Sequence, residues 1–273
     1  MSAFITVGEP GPRNARLTAD GLRLYQWPGP DGPIDVPSVT TIRRLAGIPH
    51  NLHQWALSQV IDRALDDWPG LSAQLRTGTP TAVEAVRSHL RQAATAERDR
   101  KAALGTAVHD AAASGRALTD VPPEVAPFLR QYLAWLGASK AELLLAERQV
   151  WNLEVGYAGT FDLIARFPDD SVWLVDLKTG SGIYSDHALQ LAAYRYAEFV
   201  GNDGVVDVEA TELLRQVSGT AVLHLGQRKW EFVSIRTGAE EWRAFRGLLA
   251  FAWWSHTHPE VSDYSLGMRK GAA

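Results

Sequence analysis

The chain has 273 residues, of which 46% are hydrophobic and 21% charged, a composition typical of a globular protein with one large or two small domains. It contains no cysteine, which excludes disulfides, thiolate catalysis, zinc fingers and cysteine-ligated iron–sulfur clusters. Its net charge of −4 counts against a protein that holds DNA by charge alone, although basic residues that gather locally can offset an acidic total.

Neither a leader nor a membrane segment is evident in the sequence. Residues 1–14 lack the basic-then-apolar layout of a signal peptide. The longest apolar run, from Leu248 to Trp254, falls far short of the roughly 20 residues that a membrane span needs. We therefore expect an intracellular protein without a membrane partner.

The first half of the chain predicts a hairpin followed by helices. Apolar and polar residues alternate from Arg16 to Trp27, and Pro28 to Pro33 supplies a turn. Pro80 at a first helical position, with the capping box of Thr81 and Glu84, begins a long helix. The predicted helices are Val39 to Leu45 capped by Ser38, about Leu52 to Trp68, Pro80 through Ala113, and Pro123 to Leu136.

The second half changes from helical spacing to the period of two that is typical of strands. The predicted strands are Leu143 to Leu153, Gly159 to Phe167, Val172 to Leu177, Thr220 to Leu225 and Trp230 to Ile235. Helices are predicted over Asp186 to Val200 and about Ala239 to Ser255. This order predicts an α/β fold with a mixed central sheet flanked by helices. We expect residues 1–80 to form an N-terminal hairpin and helical extension of a core at 81–273, in one compact domain overall.

Two aspartates and a lysine on neighbouring strands are the main candidates for chemistry. Asp162 interrupts an apolar strand and Asp176 ends the next one, and carboxylates are rarely buried without a partner or a metal. Lys178 shares a strand face with Asp176 by the period of two. This set suits Mg²⁺ or Mn²⁺, with Lys178 orienting or deprotonating a water or stabilising charge on a phosphate. A buried Asp–Lys pair that only ties strands together fits the same tripeptide.

Two helical pairs flank these strands in the sequence. Gly105 and His109 lie four residues apart on one helical face, where glycine permits close approach and histidine offers a ring nitrogen to a metal. Gln190 and Tyr194 are spaced in the same way and can meet a nucleic-acid backbone. Taken singly, a helical histidine is more often structural, and glutamine and tyrosine are common on half-exposed helices.

The ordered set G-x-x-x-H, an early-strand Glu, G-T-x-D, D-x-K-T-G and Q-x-x-x-Y resembles the RecB-like branch of the PD-(D/E)XK nucleases. That branch includes the RecB nuclease domain and related CRISPR-associated and phage exonucleases. The matching residues are Gly105, His109, Glu147, Gly159, Asp162, Asp176, Lys178, Gln190 and Tyr194. They fall between Ala103 and Glu198, about a third of the chain. The resemblance implies a restriction-endonuclease-like core without the iron–sulfur cluster that many relatives carry.

The resemblance also implies roles for individual residues. The metal ligands for Mg²⁺ or Mn²⁺ would be His109, Asp162, Asp176 and the carbonyl of Leu177. The catalytic residues would be Asp162, Asp176, Lys178 and Glu147, with Glu147 either ordering the metal shell or making a structural hydrogen bond. DNA contacts would come from Gly105, Thr179, Gln190 and Tyr194.

The expected activity is DNA hydrolysis by an exonuclease acting in recombination, repair or phage replication, in the cytoplasm of a bacterial or phage-infected cell. A structure- or site-specific endonuclease and a non-catalytic DNA-binding subunit are the alternatives. The chain has no P-loop motif, so a helicase or recombination partner would be a separate protein. Polarity, strand preference and oligomeric state stay open.

Three other groups of residues have expected structural roles. The basic residues before His109 form either one wall of a DNA channel or a salt-bridged surface, because acidic residues are interleaved with them. Tryptophans such as Trp135, Trp173 and Trp253 suit a core. His256 and His258 are expected in an exposed loop.

Overall fold

A computed structural model of the protein describes residues 15–18, 22–46 and 51–258. Residues 1–14, where no signal peptide is expected, lie outside these ranges. No helix in the described part of the chain is long and apolar enough to cross a membrane.

The N-terminal strands form a small antiparallel sheet, and the predicted hairpin is confirmed. Its strands are β1 (Ala15–Leu17), β2 (Arg23–Gly29) and β3 (Gly32–Pro37). Tyr25, Trp27 and Val36 pack against Trp151 of the larger sheet. This packing attaches the small sheet to the larger one, and the expected division at residue 80 stays a prediction.

In the described part of the chain, five α-helices lie between the hairpin and the main sheet. The first four are α1 (Val39–Leu45), α2 (Asn51–Asp66), α3 (Trp68–Leu75) and α4 (Pro80–Ala113). Ser38 caps α1 by accepting a hydrogen bond from the Thr41 N–H, as predicted. The cap of α4 is Thr79, which accepts from the Ala82 N–H, so the predicted capping box at Thr81 is wrong by two residues. The helix predicted over about 52–68 is confirmed as α2, which ends two residues earlier, whereas α3 was not predicted.

A seven-stranded mixed sheet forms the centre of the molecule, flanked by helices on both faces. Its strands are β4 (Glu142–Asn152), β5 (Tyr157–Arg166), β6 (Val172–Lys178), β7 (Phe199–Asn202), β8 (Val205–Asp207), β9 (Val217–Leu225) and β10 (Trp230–Ser234). The spatial order is β10-β9-β6-β5-β4-β7-β8, with β6 and β9 parallel and the other neighbours antiparallel. The predicted mixed α/β architecture is therefore confirmed at this level.

Each face of the sheet has its own hydrophobic core. On one face α1 packs with α6 (Asp186–Arg195), α7 (Val208–Arg215) and α8 (Ala239–Thr257), around Phe161, Ile164 and Leu174. On the other face α4 packs with α5 (Ala126–Ser139), around Leu163 and Val175. The C-terminal part of α4 and the N-terminal part of α6 therefore approach the sheet from opposite sides.

Two sequence expectations, the end of a helix near Val200 and the burial of Trp253, are wrong. The helix predicted to reach Val200 ends at Arg195, because Val200 pairs with Val150 on the edge of β4. Tertiary pairing thus overrides the helical spacing. Trp253 is exposed rather than part of the core, whereas Trp135 is fully buried.

Candidate metal centre

The central sheet splits open between its middle strands, β5 and β6. Their antiparallel register ends at the pair Leu163 and Val175, whereas β6 continues beside β9 as far as Lys178. On the β5 side, the backbone of Leu177 therefore has no strand partner. Its N–H and carbonyl groups must form hydrogen bonds with polar side chains instead. Asp162, the residue before Leu163, lies at this split.

Side chains of Asp162 and His109 satisfy the backbone of Leu177. The Leu177 N–H donates to Asp162 Oδ2 at 2.6 Å, and His109 Nε2 lies 3.1 Å from the Leu177 carbonyl oxygen. The second ring nitrogen, His109 Nδ1, lies 3.2 Å from Asp162 Oδ1. The structure thus brings together three of the predicted ligand groups, which come from α4, β5 and β6.

Glu147 completes a group of three side chains that can hold a cation. One ligand atom from each of His109, Glu147 and Asp162 lies within 4.8 Å of the other two. Glu147 Oε1 is 3.5 Å from His109 Nδ1, and both carboxylates are buried. One imidazole nitrogen with two carboxylates is a donor set that suits Mn²⁺ and, with more water, Mg²⁺. The residues present therefore fit a divalent metal ion.

The backbone of Glu147 is strained. Its φ of 50° lies in the left-handed region, which costs a non-glycine residue roughly 1–3 kcal/mol. Its neighbours Ala146 and Arg148 keep their pairing with Leu163 and Phe161, so β4 stays paired with β5 on both sides of Glu147. Strain of this kind persists where the surrounding structure holds a side chain in a required place. Of the two roles left open for Glu147, this position favours the metal shell.

Asp176 and Lys178 form an ion pair at the end of β6. Their Oδ2 and Nζ atoms are 2.6 Å apart, and Asp176 is 1% exposed. Within the described residues, Asp176 Oδ2 has no hydrogen-bond donor other than this ammonium, which leaves a lone pair of a buried oxygen for a cation. Asp176 lies outside the tight three-residue group, so its place among the metal ligands stays a prediction.

The charges at the split shift the pKa values of these groups. Burial alone would lower the pKa of His109, but the Asp162 carboxylate and hydrogen bonds to Asp162 and Glu147 outweigh it and raise that pKa to about 10. The same contact holds the pKa of Asp162 below its usual value despite its burial. Burial raises the pKa of Asp176 to about 6, with Lys178 opposing the shift and Asp162 adding to it. The raised pKa favours an imidazolium at His109, which adds to the positive charge of Lys178 among these carboxylates.

Gln190 and Tyr194 lie behind Asp176 and not on the surface. Gln190 Nε2 donates to Asp176 Oδ1 at 3.0 Å and to the Tyr194 hydroxyl at 3.2 Å. Their exposed fractions are 7% and 3%. This position favours a role in orienting Asp176 over the direct DNA contact that the resemblance implies.

One glycine of the motifs, Gly159, allows close packing at the site, whereas Gly105 does not require the absence of a side chain. A Cβ on Gly159 would lie 2.5 Å from Cε1 of Tyr194, so glycine is required for the tyrosine ring to cover β5. A Cβ on Gly105 would lie 3.4 Å from Thr179 Oγ1, an ordinary contact. Gly105 and Thr179 are therefore neighbours beside the site, and their expected DNA contact stays a prediction.

Sequence reasoning missed Arg43 and His187. Arg43, on α1, donates to Gln190 Oε1 and forms an ion pair with Asp186. His187, on α6, is buried; burial, followed by the positive charge of Lys178, lowers its pKa to about 4. Arg43 precedes Gln190 by 147 residues, and no local pattern indicates such a contact.

The basic residues that precede His109 form a salt-bridged surface, and their place in a DNA channel stays a prediction. Arg87 and Arg91 pair with Glu84, and Arg100 and Lys101 pair with Glu97. Near the C-terminus, His256 lies in α8 and His258 caps it, so the loop expected for His256 is wrong. Neither histidine belongs to the three-residue metal group.

Comparison with known proteins gives no family assignment. No family model and no curated protein matches the sequence. Similar solved structures include one titled "Crystal structure of SSO0001", with 17% identity over 46% of this chain and 56% of that chain at a TM-score of 0.29. Another is the SPO1766 protein of unknown function from Silicibacter pomeroyi, with 14% identity over 49% of this chain and 91% of that chain at a TM-score of 0.21. At these scores neither similarity bears on fold or function.

Proposed function

We propose that the protein is a metal-dependent DNA nuclease with a PD-(D/E)XK core. The observation that carries the proposal is the split of the sheet between β5 and β6, which collects His109, Glu147 and Asp162 beside the Asp176–Lys178 pair. A cation site next to a lysine suits phosphodiester hydrolysis, because a metal ion can activate water and an ammonium can stabilise charge on the phosphate. The order of the five sequence motifs supports the same conclusion.

The buried position of the ion pair also supports catalysis over a purely structural tie. A buried Asp–Lys pair contributes little net stability, because desolvation offsets the attraction between the charges. A metal ion that binds Asp176 would offset this desolvation cost.

In this proposal each side chain has a distinct task. His109, Glu147 and Asp162 hold Mg²⁺ or Mn²⁺, with Asp176 and the Leu177 carbonyl as further ligands. When bound, the ion supplies a water nucleophile at neutral pH and stabilises negative charge on the phosphate oxygens. The Lys178 ammonium, about a quarter exposed, orients the attacking water or donates a hydrogen bond to the phosphate.

The test is incubation of the pure protein with linear and circular DNA, with and without Mn²⁺ or Mg²⁺. We expect the linear DNA to be degraded only when metal is present, and Asp176→Asn to lose this activity. Asp170→Asn, in the exposed turn between β5 and β6, is the matched control and should cleave at the wild-type rate.

The pattern of products separates the alternatives. Cleavage of circular DNA would indicate an endonuclease on the same core. DNA binding without cleavage under any metal condition would indicate a non-catalytic DNA-binding subunit. If the protein neither binds nor cleaves DNA, the proposed function is wrong.

A further inference from the structure

The guanidinium of Arg43 connects α1 to α6 through two different contacts. Nη1 donates to Gln190 Oε1, and Nη2 pairs with the Asp186 carboxylate. Both charged side chains are largely buried, at 15% exposure for Arg43 and 5% for Asp186. The Nε of Arg43 is also buried and has no hydrogen-bond partner among the residues that the structure describes. Arg43 is thus held at this position although one of its donors stays unsatisfied.

The contact with Arg43 restricts the orientation of the Gln190 side-chain amide. A guanidinium has donors only, so the amide oxygen must face Arg43. The amide nitrogen then faces the opposite side, where it donates to Asp176 Oδ1 and to the Tyr194 hydroxyl. If the amide turned over, its oxygen would face the Asp176 carboxylate and the hydrogen bond would become a repulsion.

We propose that Arg43 is a positioning residue of the metal centre, which holds the Gln190 amide so that it fixes the direction of the Asp176 carboxylate. With Oδ1 bound to Gln190, Asp176 must present Oδ2 to Lys178 and to the cation. The consequence for cleavage rests on the proposed function, whereas the effect on the Gln190 amide does not.

A plain structural tie between α1 and α6 is the rival explanation for Arg43. In that case the ion pair with Asp186 would be the important contact, and the contact with Gln190 would be incidental. Arg43→Lys and Asp186→Asn separate the two explanations. Lysine keeps the charge opposite Asp186 but lacks the planar fork that reaches two partners at once. Asparagine removes the ion pair and leaves Arg43 free to hold Gln190.

The first measurement is the ¹⁵N–¹H spectrum of the metal-free protein. The side-chain amide signal of Gln190 is identified by its disappearance in Gln190→Glu. We expect this signal to shift in Arg43→Lys and to stay close to its wild-type position in Asp186→Asn. An unchanged signal in Arg43→Lys would overturn the proposal, whatever the protein does to DNA.

The second measurement is Mn²⁺ affinity by calorimetry, with thermal melting on the same samples. Loss of an outer-shell partner typically lowers metal affinity roughly 10–100-fold, and we expect about 10-fold for Arg43→Lys. Asp186→Asn should melt at a lower temperature than Arg43→Lys yet bind Mn²⁺ more tightly. Arg195→Lys, which loosens the other end of α6 from Thr237, is the control and should bind Mn²⁺ as wild type does.

The ranking of Arg43→Lys and Asp186→Asn by Mn²⁺ affinity and by melting temperature decides between the two explanations. If Mn²⁺ affinity falls in parallel with melting temperature, Arg43 is only a structural tie and the proposal is wrong. If the wild type binds no Mn²⁺, the proposed function fails, and the amide spectra still show whether Arg43 sets the Gln190 orientation.

Discussion

Replacing Gly159 by alanine should destabilise the protein through one defined clash. A Cβ at this position would lie 2.5 Å from Cε1 of Tyr194 and 3.2 Å from Cγ2 of Val39. The tyrosine ring cannot move away cheaply, because it is buried and its hydroxyl is hydrogen-bonded to Gln190. Overpacking of a tight core costs roughly 1–3 kcal/mol. For a chain of this size, a cost of 2 kcal/mol lowers the melting temperature by about 4–8 °C.

The same substitution at Gly137 is a control with the opposite expected sign. Gly137 lies in α5, where an added Cβ would meet nothing within 4 Å. Alanine there should stabilise the protein by roughly 0.5–1 kcal/mol, because it favours the helix and restricts the unfolded chain. Urea denaturation of both variants measures the two free energies directly.

A double variant tests whether the tyrosine ring causes the cost at Gly159. In a Tyr194→Leu background most of the clash is absent, so Gly159→Ala should cost less than about 1 kcal/mol. An equal cost in both backgrounds would contradict the reasoning. So would a Gly159→Ala variant that is as stable as wild type.

The remaining predictions concern the metal centre. Lys178→Ala should lower the cleavage rate roughly 10²–10⁴-fold while Mn²⁺ binding is retained. The control Lys229→Ala, at an exposed ion pair, should cleave at the wild-type rate. Equal cleavage rates in the two variants would exclude a catalytic role for Lys178. Asp162→Ala should strongly weaken Mn²⁺ binding in calorimetry, and unchanged binding would place the metal elsewhere. Because the folded-state pKa of His109 is raised from 6.5 to about 10, its stabilising effect on the metal-free protein is complete below pH 6.5 and is lost as pH rises to about 10. Thermal melting in EDTA as a function of pH should show this loss of stability in wild type and a smaller loss in His109→Gln. Parallel stability curves for the two proteins would contradict the raised pKa of His109. Mn²⁺ binding at neutral pH should release a proton from His109, and calorimetry in buffers of different ionisation enthalpy measures it.

Local pattern in the sequence was sufficient for most of the elements of the fold. The strands that carry Asp162 and Asp176 follow from their apolar runs, and Ser38 caps α1 as its type and position indicate. These features depend on neighbours within a few residues, which the sequence displays directly. The mixed sheet flanked by helices follows from the order of such elements.

Strands β7 and β8 and helix α7 were not predicted from the sequence. Phe199 and Val200 continue a helical spacing, yet they pair with Trp151 and Val150 of β4. The choice between helix and strand was therefore made by an edge of the sheet about 50 residues earlier in the chain. A short segment with an ambiguous pattern takes the conformation that its tertiary neighbours stabilise.

The arrangement of the candidate site required the tertiary structure. The motifs indicated which residue types to examine, but Glu147 with its positive φ, the split at Leu177 and the contact from Arg43 to Gln190 have no local signature. Each depends on strand order and on helices that pack on opposite faces of the sheet. The sequence by itself thus determined the candidate residues. The three-dimensional packing decided which of them face the candidate cation site and which lie behind Asp176. The physical reason is that side chains 15 to 147 residues apart in the chain meet only when the whole sheet has formed.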